Sequence, residues 1–139
     1  MTTPQPATMA YLTVDELTGR RWELVFDRYP PSPNARMHFM AKASSNKFWR
    51  LDALIKAMNA QIPRLQRIRI SAVIIRRALG TADEDNDRAR LKPVTDGLVD
   101  AGVIPNDRRG CIEWGPVNEE RGKPGLRLIV EEMTKETNT

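Results

Sequence analysis

Leu65–Arg76, LQRIRISAVIIR, is the stretch that decides the fold. Ile68, Ile70, Ala72 and Ile74 alternate with Arg67, Arg69, Ser71 and Val73. Successive side chains of a strand point to opposite faces, and β-branched residues fit a pleated, half-buried surface. The stretch therefore predicts a long strand with one buried face. On its N-terminal side, Pro63 closes a helix expected over about Lys47 to Gln61, where Trp49, Leu51 or Leu54, Ile55, Met58 and Ile62 recur at helical spacing. Ser44, Ser45 and Asn46 can cap that helix. Before it, the prolines of Tyr29–Asn34, YPPSPN, remove backbone donors and fix φ, so a long loop is expected from there to Ser45. Arg21–Phe26, RWELVF, alternates and reads as a first strand.

On the C-terminal side, Ala78–Glu84 reads as a turn carrying Gly80. A second helix is expected between Asp85 and Ala101, with Leu91, Val94, Leu98 and Ala101 as its apolar stripe. Pro93 either ends a short first turn near Lys92 or kinks the helix. Gly102 is the expected left-handed cap. Cys111–Val117 and Leu126–Glu131 read as two closing strands around a turn at Gly122–Gly125. The order β-α-β-α-β-β predicts an α+β fold, a single domain with two main helices on a mixed β-sheet. Residues 1–12 and 134–139 read as tails, leaving 13–133 as the domain.

Composition narrows the chemistry. The 139 residues carry 22 basic and 18 acidic side chains, a net charge of +4, which suits a polyanionic partner without requiring one. Cys111 is the only cysteine and His38 the only histidine, so an internal disulfide, a Cys/His zinc site and a histidine-based triad are all excluded. No apolar run approaches a membrane span and the N-terminus lacks a signal-peptide layout, so a cytoplasmic location is expected.

The remaining candidates are acids. Asp83, Asp85 and Asn86 form D-x-D-N, Lys92 and Asp96 stand four apart, and Asp107 follows Gly102 in a proline-containing turn. Carboxylates from separate short segments suit a hard cation such as Mg²⁺, which takes oxygen ligands and keeps room for water and phosphate. In a basic chain this points to a metal-dependent nuclease. The plainer alternative is an acidic turn that caps the next helix, with Lys92 paired to Asp96. A calcium loop starting at Asp83 fails, because its sixth position is Arg88 and its twelfth Val94.

Five pieces in order, P-P-S-x-N at Pro30, Pro31, Ser32 and Asn34, D-x-D-N at Asp83–Asn86, K-x-x-x-D-G-L at Lys92–Leu98, A-G-V-I-P-N-D at Ala101–Asp107, and the final G-L-R-L-I-V-E-E-M, resemble the RusA family of Holliday-junction resolvases. The match runs from about Trp22 to Glu132. The resemblance implies an Mg²⁺-dependent endodeoxyribonuclease that resolves four-way DNA junctions by paired nicks, in recombination and repair. Mn²⁺ would be a substitute metal, no small-molecule cofactor is needed, and a homodimer supplies two sites for two strands. By resemblance, Asp83, Asp85 and Asp107 are the metal-binding acids, Lys92 is the catalytic lysine, and Asn86 and Asp96 support them. Lys92 is chosen for its spacing to Asp96, although Ala89 stands where shorter members carry the lysine, and Asn106 replaces an acid common in the family. Arg76, Arg77, Arg88, Arg90, Arg108 and Arg109 flank the acids and are expected on the DNA phosphates. Two other functions fit the same residues: a non-catalytic DNA-binding phage protein that keeps the fold, and a branched or flap DNA nuclease.

Overall fold

The computed structural model describes residues 16–33, 36–79, 84–108 and 110–134, apart from the side chains of residues 84 and 85. Its elements are β1 (Leu17–Phe26), α1 (Phe39–Asn59), β2 (Ile68–Arg76), α2 (Glu84–Arg90), α3 (Lys92–Asp100), β3 (Ile112–Arg121) and β4 (Gly125–Met133). The architecture is α+β, a four-stranded mixed sheet in the order β1-β4-β2-β3 with helices in the connections. β4 is antiparallel to both β1 and β2, whereas β3 is parallel to β2. The closing strands are therefore not neighbours. Gly122–Pro124 step across the end of β2, where the Gly122 amide donates to the Arg76 carbonyl at 2.7 Å and Gly125 pairs with Ile75. No helix among the described residues is long and apolar enough to cross a membrane.

The alternation in Ile68–Arg76 performs as read. Ile68, Ile70, Ala72 and Ile74 are buried against Leu126, Leu128 and Val130 of β4 and Leu24 and Phe26 of β1. The sheet's other face carries Arg69 paired to Glu131 and leaves Val25 60% exposed.

Helix α1 begins earlier than its serine-rich segment suggests. The His38 Nδ1 accepts from the Met40 amide at 3.2 Å and the His38 carbonyl accepts from Lys42 at 2.9 Å, so Phe39–Asn46 are already helical. Ser44, Ser45 and Asn46 lie inside the helix, and the expected long loop ends at His38. The core-facing side is Trp49, Ala53 and Ala57. Leu51, Ile55 and Met58, expected in the apolar core stripe, are instead exposed with Met40 and Phe48.

The helix expected over Asp85–Ala101 is two helices. Pro93 has no N–H for the Ala89 carbonyl, so the first helix closes with the Leu91 amide on the Arg88 carbonyl at 3.0 Å. The second starts with Pro93 in its first turn, where a missing donor costs nothing. It ends with Gly102 at φ +79°, the left-handed cap.

α1 and α3 cross at very close range. A Cβ placed on Gly97 would lie 2.4 Å from the Arg50 carbonyl oxygen and 2.6 Å from the Ala53 Cβ. Only glycine against alanine permits this approach. Gly97→Ala is expected to destabilise the fold by about 1–3 kcal/mol by forcing the helices apart. Chemical denaturation checks this; an unchanged midpoint would mean that the crossing tolerates a methyl group.

Candidate active site and its groove

Lys92 is the centre of the candidate site. Its Nζ donates to Asp96 Oδ1 at 2.7 Å and to Asp107 Oδ2 at 2.8 Å. The first partner stands one helical turn along α3, and the second is brought in by the chain that leaves Gly102. These two carboxylates, Asp107 first, raise the Lys92 pKa above its ordinary value. Lys92 in turn holds Asp107 below the usual carboxylate range. Both groups are substantially solvent-exposed, so the pair contributes little to stability. Beside it, the Asn106 side chain accepts from the Arg108 amide at 2.8 Å, which fixes the turn that aims Asp107.

The Pro-rich loop is tied to this site. The Ser32 hydroxyl donates to Asn86 Oδ1 at 3.1 Å, and Arg90 donates to the Pro30 carbonyl at 2.9 Å. Ser32 and Asn86 thus meet across 54 positions of sequence. Asp85 lies in the first turn of α2, but its side chain, like Asp83 as a whole, falls outside the described residues. Asp85 and Lys92 are on separate helices. Among the described residues, no three His, Cys, Asp or Glu side chains form a group that could hold a metal ion.

The flanking arginines divide. Arg77 and Arg108 are exposed, and Arg88 lines a small cavity with Lys92 and Asp107. Arg109 lies outside the described residues. Arg90 is 7% exposed and faces Asp87 at 3.2 Å, and Arg76 reaches Asp87 at 3.4 Å and Glu119 at 3.8 Å. Tyr29 lies beneath both guanidinium groups, 5.4 Å from Arg76 and 5.7 Å from Arg90. Arg90, expected on DNA phosphates, is therefore a buried structural cation. A surface assignment from charge alone cannot see that two acids lie behind it.

Glu119 enters this cluster through a β-bulge. Ile70 pairs with Trp114 but Ala72 pairs with Val117, so β3 holds one extra residue at Gly115–Pro116. The bulge reverses which residues face inward, and Glu119 lands opposite Ile74 on the core side. Sequence reading passed over Glu119; the available signal was the shift of apolar phase from Ile112 and Trp114 to Val117 across a Gly-Pro pair. Burial raises the Glu119 pKa above its ordinary value, and the facing Asp87 raises it further, against the pull of Arg76 and Arg90.

Compared with known proteins, no family model matches this chain and no curated protein sequence matches it.

The raised Glu119 value gives a signed pH dependence. Its stabilising contribution is complete below the ordinary value of 4.5 and is lost as pH rises through the higher folded value. Glu119→Gln cannot titrate. Wild type is therefore expected to lose thermal stability relative to Glu119→Gln as pH rises above 4.5; a pH-independent difference between their melting temperatures would refute it.

Proposed function

We propose that this chain is an Mg²⁺-dependent endodeoxyribonuclease of the RusA type that resolves four-way DNA junctions. The observation that carries the reading is Lys92, poised 2.8 Å from Asp107, where the Pro-rich loop is pinned to Asn86 in α2. The Pro30–Asn34 piece of the RusA resemblance, far away in the chain, meets the three consecutive pieces between residues 83 and 107 in one neighbourhood. A chance likeness in motif spelling would not require this.

Asp83, Asp85 and Asp107 would hold Mg²⁺, and their all-oxygen donor set suits that ion. The bound ion would supply an activated water and neutralise charge on the phosphate. Asp107 is now bonded to Lys92, so metal binding would free the ammonium to face the substrate. Lys92 then offers positive charge where the phosphate and its leaving oxygen become more negative. Asp96 keeps Lys92 directed along α3, and Asn86 holds the Pro-rich loop beside α2. Arg77 and Arg108, which are exposed, and the half-buried Arg88 beside Lys92 would contact backbone phosphates. The same protein would act in recombination and repair, in the cytoplasm.

Two nicks in opposite strands call for two active sites, hence a homodimer. Phe48, Leu51, Ile55 and Met58 favour a second copy on the outer face of α1. They are 43% to 62% exposed and follow the 3-4-3 spacing of helix-on-helix packing. With Met40 they expose on the order of 400–500 Å² of apolar surface, about half of one partner's share in a standard interface. Leu51→Asp with Ile55→Asp is expected to convert a dimer into a monomer in analytical ultracentrifugation. A wild-type monomer at all concentrations would overturn the dimer.

The function is tested with a labelled synthetic four-way junction, with and without Mg²⁺. Paired symmetric nicks are expected from wild type. Asp85→Asn and Asp107→Asn should abolish them while sparing junction binding, and Lys92→Ala should slow them about 10²- to 10³-fold. Junction binding without nicks under any divalent cation would favour the non-catalytic DNA-binding protein; nicks confined to flaps would favour the branched-DNA nuclease.

A further inference from the structure

A groove of about 920 Å³ lies between the Pro-rich loop, the N-terminal half of α1 and the α2–α3 junction. Among the described residues that line it, Lys42, Lys47, Arg50, Arg90 and Lys92 are basic and only Asp96 is acidic. Arg50, Arg90 and Lys92 each face an acid, so the positive excess of the groove rests on Lys42 and Lys47. Two of the cations meet no acid among the described residues. Lys42 Nζ donates to the neutral Pro33 carbonyl at 2.8 Å, and the exposed Lys47 side chain makes no hydrogen bond or ion pair among the described residues. Arg50, by contrast, is spent on Asp100, to which it donates at 2.9 Å.

The groove also has direction. Lys92 lines it and also lines the adjoining cavity with Asp107 and Trp114. A chain lying along it would pass Lys47, then Lys92, then Asp107. Apart from Ser32 and Asn46, its remaining lining is apolar, with Pro31, Pro33, Met37 and Pro93 as the larger side chains. A paired duplex presents sugar and phosphate to a protein wall and has no use for apolar surface there, whereas an unstacked base does.

We infer that this groove binds one unpaired segment of a nucleic-acid strand, with Lys42 and Lys47 on its phosphates and the proline and methionine faces against its bases. The inference rests on the nuclease reading for its direction toward Lys92 and Asp107, and it assigns the substrate its form: a strand opened at a branch point. The binding itself rests on the charge and lining of the groove.

The experiment is fluorescence anisotropy in EDTA, so that no cleavage occurs, with a labelled single strand, the matching duplex and a four-way junction. Wild type should bind the single strand and the junction more tightly than the duplex. Lys42→Glu with Lys47→Glu should weaken single-strand binding about tenfold or more and lower the salt slope by about two. The control is Arg21→Glu with Arg64→Glu, which makes the same charge change away from the groove and should leave most of the affinity. Equal losses in the two double variants, an unchanged affinity in the lysine variant, or a preference for duplex would each overturn the groove assignment. Lysine-dependent single-strand binding without junction cleavage in Mg²⁺ would uphold the groove and overturn the nuclease. Cleavage with lysine-independent binding would do the reverse. No binding of any DNA would overturn both.

Discussion

The close crossing of α1 and α3 at Gly97 is the constraint on which the site depends. Helix axes approach this closely only where one side chain is absent and the facing one is a methyl group. Gly97 meets the backbone of Arg50 and the Ala53 Cβ, and Ala57 continues the small-residue line on α1. The contact fixes α3 against α1, and with it the position of Lys92 at the start of α3 relative to Lys42 and Lys47 on α1. The Arg50–Asp100 pair closes the same crossing from the outside, and Arg50 holds Asp100 below the usual carboxylate range. One glycine therefore places both walls of the groove.

The second organising feature is the charge cluster of Arg76, Arg90, Asp87 and Glu119. Four ionisable side chains at the end of the sheet are expensive to desolvate, and their mutual pairing offsets that cost without making the cluster a net source of stability. Its effect is positional. It anchors α2 to β2 and β3, while Arg90 also holds Pro30. The loop, the helix that carries Asp85 and Asn86, and the sheet are joined through one set of side chains. The bulge at Gly115–Pro116 makes this possible by turning Glu119 inward. Without the extra residue, Glu119 would face the open side of the sheet and Asn118 would take its place.

The two exposed features of α1 have different characters. Its N-terminal half presents lysines toward the groove, and from Phe48 onward Phe48, Leu51, Ile55 and Met58 are presented to solvent. A single helix thus offers cations on one side and an apolar stripe on another. The core claims only a narrow third face, satisfied by Trp49 and two alanines.

Much of the fold was legible in the residue pattern. The period-two run at Ile68–Arg76, the left-handed glycine at Gly102 and the helix-breaking Pro93 act locally, through side-chain direction and backbone sterics, so the sequence by itself determined them. It also fixed the Lys92–Asp96 pair, because four residues on a helix are always neighbours. It did not determine the start of α1, where His38, and not the later serines and asparagine, caps the helix. The face of α1 that enters the core was decided by the depth available against Gly97, which admits alanine and rejects leucine and isoleucine. The separation of β3 from β4 by β2, the bulge that buries Glu119, and the meeting of Ser32 with Asn86 and of Lys92 with Asp107 are long-range relations. Only the tertiary structure decided them, because they depend on which surfaces remain to be covered once the central strand is buried.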